Sequence, residues 1–211
     1  MPPRLVVVGV SLGGMETLRG LLGALPANFP AALVIVQHRD KEESGDLAML
    51  LGQVGSVSVG FPLDKECIQA GRVYIAPPNY HLLVEDDHFA FSLDAPENFA
   101  RPSIDVLFES AADACGAGVT GIVLTGTGCD GARGLAAIRR RGGQTIVQSP
   151  SEASAPNMPQ AALAAVPDAR QLTLKEIGEW LKSIADCGLR NETSAECGIS
   201  DCGFRNESNA E

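Results

Sequence analysis

The stretch that decides the fold is RLVVVGVSLGG (residues 4–14), an apolar, valine-rich run that breaks at Ser11. Its hydrophobicity is continuous rather than alternating, which is typical of a strand covered on both faces in a parallel sheet. A helix is predicted directly after it, because apolar residues recur at helical spacing as far as a proline. These residues are Met15, Leu18, Leu21, Leu22, Leu25 and Pro26. The serine therefore stands in the turn between a strand and a helix.

The same strand–helix unit recurs along the chain. Three further runs rich in Val and Ile predict buried strands, AALVIVQ (31–37), VTGIVLT (119–125) and GGQTIVQS (142–149). Apolar stripes predict helices over 103–115 and 131–141. This alternation predicts an α/β fold, a three-layer, doubly wound and mostly parallel sheet with right-handed crossovers.

The middle third of the chain has a different pattern. Its strand candidates are short and separated by turn residues, namely SVSVGFP (56–62), GRVYIAPP (71–78), HLLVEDD (81–87) and HFAFSL (88–93). A series of short runs with turns between them is typical of hairpins. We therefore expect an antiparallel hairpin excursion in this part of the fold.

The end of the chain contains a repeat. DCGLRNETSAE (186–196) returns as DCGFRNESNAE (201–211), and both copies are polar and acidic, with little to bury. We therefore divide the chain into a folded domain over 1–185 and a repetitive tail over 186–211. The tail is predicted to be disordered and to take no part in the chemistry.

Composition excludes several classes of protein. With 211 residues, 45% of them hydrophobic, the chain can bury the core of one sizeable domain. Its formal net charge of −10 argues against nucleic-acid binding, which needs a basic face. No apolar run approaches the roughly 20 residues of a transmembrane helix, so membrane insertion is not expected. The six cysteines form no Cys-x-x-Cys pair, which indicates neither a zinc site nor a disulfide framework but free thiols in the cytoplasm.

Reactive side chains follow three of the predicted strands. Ser11 follows the first run, His38 follows the second, and Asp130 lies in the loop GTGCDG after VTGIVLT. Because the carboxyl ends of parallel strands meet at one edge of a sheet, we expect the three side chains to lie close together. A serine hydroxyl becomes nucleophilic when an imidazole takes its proton and a carboxylate orients that imidazole. The pattern predicts a serine hydrolase in which His38 Nε2 faces Ser11 and the other ring nitrogen faces Asp130.

Each of these residues also has a structural interpretation. Ser11 and Asp130 both precede predicted helices, where serine and aspartate are favoured caps. His38 could serve only to satisfy a backbone group. The glycines around Ser11 could instead hold an anion at the helix start, although both the G-x-G-x-x-G spacing and the Walker lysine are missing. These alternatives stay open at the level of single residues.

Several motifs, in the same order, resemble the catalytic domain of the bacterial chemotaxis protein-glutamate methylesterases, the CheB family. The resemblance covers about Arg4 to Ile184. It rests on VVVGVSLGGMETLRGLLGALP, VIVQH, GRVYIAPPNYHLLV, RPSIDVLFESAA, GIVLTGTGCDGARGLAAIRRRGG and NMPQAAL. It implies that Ser11 is the nucleophile, His38 the general base and acid, and Asp130 the carboxylate that orients His38. It also implies hydrolysis of γ-glutamyl methyl esters on the cytoplasmic helices of chemoreceptors, deamidation of receptor glutamines as a second activity, and no metal or organic cofactor.

Some positions near the predicted site depart from the family pattern or have an open role. Leu12 stands where Thr or Ala is usual, and Thr127 stands where many members carry Met. The resemblance implies that the backbone N–H of Leu12 serves an oxyanion hole, with Gly13 and Thr127 as further residues for oxyanion or substrate binding. Arg101, in RPSID, is expected either to touch the substrate or to pair with a carboxylate. His81, in PPNYHLL, matches a family position near the cleft and is expected to have a structural role at a strand start.

Typical family members carry an N-terminal receiver domain, whereas this chain begins at the catalytic strand. Control in cis is therefore not expected. A separate receiver or methyltransferase protein is a candidate partner, beside the methylated receptor helices. The alternative is a catalytically weak or inactive module that keeps the fold and binds a receptor or signalling partner. Leu12 and the missing receiver domain keep that alternative open.

Overall fold

The computed structural model describes residues 5–38 and 47–189, with side chains as far as residue 185. The strands are β1 (Leu5–Val10), β2 (Ala32–Gln37), β3 (Ser58–Gly60), β4 (Arg72–Ile75), β5 (His81–Glu85), β6 (His88–Ser92), β7 (Val119–Val123), β8 (Gln144–Gln148) and β9 (Arg170–Leu172). The helices are α1 (Gly14–Gly23), α2 (Leu47–Gly52), α3 (Ile104–Cys115), α4 (Ala132–Arg140), α5 (Asn157–Ala165) and α6 (Leu174–Leu189).

Seven of the described strands form one sheet in the order β3-β4-β2-β1-β7-β8-β9. Every pairing in this sheet is parallel, and β1 lies at its centre between β2 and β7. The two remaining strands, β5 and β6, form a separate antiparallel hairpin. The central position of β1 is what the continuous apolar run at the beginning of the chain predicts.

Side-chain alternation along β1 explains the three layers. Val6 and Val8 point into an apolar core that they share with α1, α2 and α6. Leu5 and Val7 point to the other face, into a core formed with α3, α4, α5 and the β5–β6 hairpin. All residues of β1 are buried, so the strand that carries Ser11 at its end is held by packing on both sides. The predicted three-layer, mostly parallel fold is confirmed.

The predicted antiparallel hairpin in the middle third is confirmed, but only two of the four short strand candidates form it. Strand β4 pairs with β2, and β3 pairs with β4, both in parallel, so these two strands extend the main sheet. Only β5 and β6 form the hairpin, which packs against α3. Strands of three and four residues are too short for periodicity to distinguish a parallel edge strand from part of a hairpin.

The end of the described chain is helical. Helix α6 packs its apolar residues on the same face of the sheet as α1. It continues to Leu189, past the predicted boundary at residue 185. Residues 190–211, most of the repeated tail, lie outside the described residues, so the domain division stays a prediction. Within residues 5–38 and 47–189, none of the helices combines the length and the apolar character that crossing a bilayer needs.

Candidate active site

The sheet brings the predicted site residues to one edge. Strands β2 and β1 run in parallel with Val10 opposite Gln37, so the next residues, Ser11 and His38, lie side by side at the carboxyl end. The Ser11 N–H donates to the carbonyl oxygen of Thr125, just after β7, at 3.0 Å. The His38 N–H donates to the carbonyl oxygen of Val10, also at 3.0 Å. The backbones of the three strand ends are therefore tied together where the sequence predicts a site.

His38 and Asp130 are in direct contact. His38 Nε2 lies 2.8 Å from Asp130 Oδ2, with the imidazole 18% exposed and the carboxylate 3% exposed. An ionised carboxylate only accepts hydrogen bonds, so Nε2 carries a proton and, in the neutral ring, Nδ1 is the acceptor. The predicted use of the two nitrogens is therefore reversed. His38 follows β2 and Asp130 follows β7, on opposite sides of β1, so the ring reaches across the end of β1 with its distal nitrogen.

Asp130 is held by more donors than His38 alone. Its carboxylate accepts five hydrogen bonds of 2.8–3.1 Å, from His38 Nε2, Asn98 Nδ2, Ser103 Oγ and the backbone N–H groups of Ile104 and Asp105. The two N–H groups belong to the first turn of α3, so Asp130 caps α3 and not the helix that follows it in sequence. Burial opposes ionisation, but the hydrogen bonds from His38 and from these N–H groups outweigh it and hold the pKa of Asp130 below its ordinary value.

A second buried carboxylate, Asp105, caps the helix that follows Asp130. Asp105 Oδ1 accepts the N–H groups of Gly131 at 2.9 Å and Gly134 at 2.8 Å, at the start of α4. Its Oδ2 accepts Asn98 Nδ2 at 3.0 Å, so one amide group bridges both carboxylates. Burial raises the pKa of Asp105, and the nearby charge of Asp130 adds to that rise.

The backbone of Ser11 is fixed, but its hydroxyl is not. Gln37 Nε2 donates to the carbonyl oxygens of both Ser11, at 3.0 Å, and His38, at 3.1 Å. Within the described ranges, the Ser11 hydroxyl has no hydrogen-bond partner within 3.5 Å, including His38. Helix α1 has Gly13 at its N-cap and no side-chain cap, so the interpretation of Ser11 as a helix cap is wrong. In enzymes without substrate, the contact between nucleophile and base is often long and tightens on binding.

The residues after Ser11 expose backbone donors. Gly13 has a φ of +79°, a left-handed conformation that glycine adopts without strain, and α1 begins at the next residue. Considering the described residues alone, the N–H groups of Leu12 and Gly13 donate to no other group of the chain. The Leu12 side chain is 61% exposed, and Thr127 is exposed in the loop before Asp130. The oxyanion and substrate roles of these residues stay predictions.

The loop before α3 places the two remaining candidates. Arg101 Nη1 donates to the carbonyl oxygens of Leu93 at 2.8 Å and Asp94 at 2.9 Å, so it holds the loop. Among the described residues, it pairs with no carboxylate. Its contact with substrate stays a prediction. His81 is buried at the start of β5, and its Nδ1 accepts the Ser103 N–H at 3.2 Å. This is the structural role predicted for it.

Four residues that hold the site are missing from the sequence prediction: Gln37, Asn98, Ser103 and Asp105. Gln37 could have been found, because it is the last residue of a buried strand and precedes His38. Asn98 and Ser103 depend on the path of an irregular loop, which has no periodicity to read. Asp105 lies in the first turn of a helix, where an acidic residue is ordinary, so no local signal distinguishes it.

Comparison with known proteins identifies the family of this chain. The profile of the CheB methylesterase family matches residues 6–181. The chain belongs to the CheB methylesterase family. The resemblance drawn from the sequence is thus confirmed, as is the predicted enzyme class, a carboxylic ester hydrolase.

Relatives and a solved structure show how far the similarity extends. A Leptospira interrogans protein named as a protein-glutamate methylesterase/protein-glutamine glutaminase is 41% identical over 175 residues, covering 82% of this chain and 91% of the relative. A Methanospirillum hungatei protein-glutamate methylesterase/protein-glutamine glutaminase is 37% identical over 184 residues, 87% of this chain but 53% of its own length. The crystal structure of the Thermotoga maritima CheB methylesterase catalytic domain superposes with a TM-score of 0.82 at 29% identity. That match covers 87% of this chain and 100% of the other.

Proposed function

We propose that this CheB-family chain is a protein-glutamate methylesterase that acts through Ser11, His38 and Asp130. The observation that supports this most is the 2.8 Å hydrogen bond between His38 and the buried Asp130, at the strand end where His38 and Ser11 are neighbours. The hydroxyl of Ser11 caps no helix, so it is available as a nucleophile. The carboxylate–imidazole–hydroxyl order is what acyl transfer to serine needs.

The reaction proceeds in two acyl transfers. Ser11 Oγ bonds to the ester carbonyl carbon while His38 Nδ1 takes the hydroxyl proton. Collapse of the tetrahedral intermediate breaks the bond to the methoxy oxygen, and His38 gives its proton to that oxygen to release methanol. Water then attacks the acyl-serine with His38 again as the base, which frees the glutamate carboxylate and restores Ser11. Asp130 keeps the ring in the tautomer with Nδ1 free and stabilises the imidazolium form.

The developing oxyanion needs fixed donors. The N–H groups of Leu12 and Gly13 suit this task, because they donate to no acceptor among the described residues and lie just before α1. A donor placed where charge develops can contribute about a hundredfold or more to the rate. An amide carbonyl passes through the same intermediate, with ammonia leaving in place of methanol, so glutamine deamidation is a second activity of the same site.

The substrate of the proposal is a methylated chemoreceptor. The relatives named above carry protein-glutamate methylesterase and protein-glutamine glutaminase in their names, and the chain shares their family. The receptor's glutamates lie on its cytoplasmic helices, so the proposal also places the protein in the cytoplasm. A separate receiver or methyltransferase protein is the proposed regulatory partner.

Methanol release from methyl-labelled chemoreceptors tests the proposal. The wild-type protein should release methanol, and Ser11→Ala should abolish release while leaving the circular dichroism spectrum and the melting temperature in place. Methanol release that persists in Ser11→Ala would show that Ser11 is not the nucleophile. Absence of release from a folded wild-type protein would favour the alternative of a binding module without turnover.

A further inference from the structure

The turn at residues 97–100 has an unusual tip. Glu97 and Ala100 exchange two backbone hydrogen bonds, of 3.1 and 2.8 Å, which close a tight turn. Both central residues have positive φ angles, 49° at Asn98 and 63° at Phe99, which is the pattern of a type I′ turn. Asparagine tolerates this conformation, whereas the second position strongly favours glycine. A phenylalanine there is strained.

Phe99 is not buried against any of the described residues, so no packing there offsets this strain. It is fully exposed, at 105% of the reference area, and is the most exposed of the large apolar side chains in the described residues. A strained residue persists when its surroundings hold it in place, and such residues concentrate at functional sites. Exposure and backbone strain together make the Phe99 ring a candidate for contact with a bound molecule.

The turn is fastened to the proposed catalytic groups. Asn98 Nδ2 donates to Asp130 Oδ1 at 3.1 Å and to Asp105 Oδ2 at 3.0 Å. On the other side of the tip, Glu97 pairs with Arg133 of α4. Phe99 is thus one residue from a side chain that contacts the carboxylate partner of His38, and its position is coupled to that of the site.

We propose that Phe99 is a specificity-determining residue that packs against apolar side chains beside the glutamyl ester on the substrate polypeptide. The inference rests on the proposed function and adds the kind of contact that selects the substrate. Leu12, directly after Ser11, is a second exposed apolar side chain beside the proposed nucleophile. Aromatic residues at binding interfaces contribute strongly to affinity, because a large rigid surface is desolvated at little cost in conformational entropy.

The charge of the chain favours apolar recognition. The chain carries 26 acidic and 16 basic residues, so long-range electrostatics cannot attract a substrate segment that is itself rich in glutamate. In this proposal, a polypeptide helix that presents an ester between apolar residues buries the side chains of Phe99 and Leu12. A small ester reaches Ser11 without contacting either side chain. Phe99 therefore separates polypeptide esters from small ones.

Phe99→Gly tests this inference, because its two expected effects have opposite signs. Glycine relieves the left-handed strain, so the melting temperature should stay the same or rise. The ratio of kcat/KM for a methyl-labelled receptor fragment to kcat/KM for the γ-methyl ester of N-acetylglutamate N-methylamide should fall roughly tenfold or more. Phe99→Tyr, which keeps an aromatic ring, should retain most of that ratio.

The matched control is Asp86→Gly. Asp86 also has a positive φ, of 52°, but lies in the β5–β6 turn, at the end of the hairpin away from His81. The melting temperature of this variant should likewise stay the same or rise, with no change in the selectivity ratio. An unchanged ratio in Phe99→Gly would overturn the inference. So would equal losses on both substrates with a lower melting temperature, because these indicate a purely structural turn.

A binding measurement keeps this inference separate from the proposed function. In a Ser11→Ala background, the Kd of the methylated receptor fragment is measured with Phe99 and with Phe99→Gly. A Kd weakened roughly tenfold by Phe99→Gly supports the contact even if the wild-type protein releases no methanol. Equal Kd values overturn the contact even if the wild-type protein is an active esterase.

Discussion

Asp130 and Asp105 cap each other's helices. The Asp105 N–H, in the first turn of α3, donates to Asp130 Oδ1 at 3.0 Å, and the Gly131 N–H, directly after Asp130, donates to Asp105 Oδ1 at 2.9 Å. The backbone at Asp105 therefore holds the carboxylate of Asp130, and the backbone next to Asp130 holds the carboxylate of Asp105. The two carboxylates join the starts of α3 and α4. Because Asp130 also contacts His38, the orientation of the imidazole depends on how these two helices pack together.

The first prediction concerns the stability that Asp130 confers. All five partners of its carboxylate donate, so Asp130→Asn turns an amide NH₂ group toward donors and should cost about 3 kcal/mol or more of unfolding free energy at pH 7. Because the pKa of Asp130 is lowered in the folded protein, its contribution is complete above the unfolded value of about 4 and is lost as the pH falls through the lower folded value. The difference between wild type and variant should therefore shrink below about pH 4.

Urea unfolding between pH 3 and 7 measures this difference. Asp113→Asn serves as the control, because Asp113 is exposed and its ion pair with Arg141 lies at the surface. That change should alter the free energy of unfolding by less than about 1 kcal/mol at any of these pH values. A difference for Asp130→Asn that stays constant down to pH 3 would contradict the role given to its ionised form.

The second prediction concerns the amide bridge of Asn98. Asn98→Gly removes both hydrogen bonds without adding left-handed strain, and should cost about 1–3 kcal/mol. Asn98→Asp places a third carboxylate against two others, so at pH 7 it should be the more destabilising change. As the pH falls toward 4, the substituted carboxyl group gains a proton that it can donate, and the order of the two variants should reverse. Chemical denaturation at both pH values decides this, and an unchanged order counts against the bridge.

The third prediction concerns Gln37, which binds the backbone of both Ser11 and His38 through one NH₂ group. Gln37→Met keeps the length of the side chain and removes the donors, so the two residues lose their fixed spacing. We expect kcat to fall at least about tenfold with little change in KM, because small displacements of reacting groups are costly. Labelling of Ser11 by a sulfonyl fluoride should slow to a similar degree.

Gln171→Met is the matched control for Gln37→Met. Gln171 lies on the edge strand β9, and its amide donates to the Ser149 hydroxyl at 3.1 Å. This variant loses a comparable hydrogen bond away from Ser11 and His38, so kcat and the labelling rate should stay within about twofold of wild type. Equal effects of the two substitutions would show that Gln37 acts only through general stability.

The sequence was informative where one physical rule sufficed. The carboxyl ends of parallel strands meet at one edge, and this rule alone brings Ser11, His38 and Asp130 together before any contact is known. It fails where strand order matters. The rule does not give the order of the strands, with β1 between β2 and β7, nor which His38 nitrogen contacts Asp130. Asn98 was out of reach for a related reason, because a tight turn acquires its partners only when α3 and α4 have packed.

The last prediction concerns the space beside the nucleophile. A Cβ on Gly126 would lie 2.1 Å from Met158 Sδ and 2.8 Å from Ser11 Cβ, both closer than real Cβ contacts allow. The thioether can move, whereas Ser11 Cβ is attached to a backbone tied to Thr125 and Gln37. Gly126→Ala should therefore cost about 1–3 kcal/mol of stability and displace the hydroxyl, with kcat at least about tenfold lower.

A double variant separates these two effects of Gly126→Ala. Removing the thioether in Gly126→Ala/Met158→Ala makes room on one side only, so the loss of unfolding free energy should be smaller than the sum of the two single losses. Methanol release should not recover, because the overlap with Ser11 remains. Gly23→Ala, where an added Cβ meets Val54 at 3.6 Å, is the control and should leave release unchanged. Recovery of release in the double variant would mean that Met158, and not the position of Ser11, links Gly126 to the chemistry.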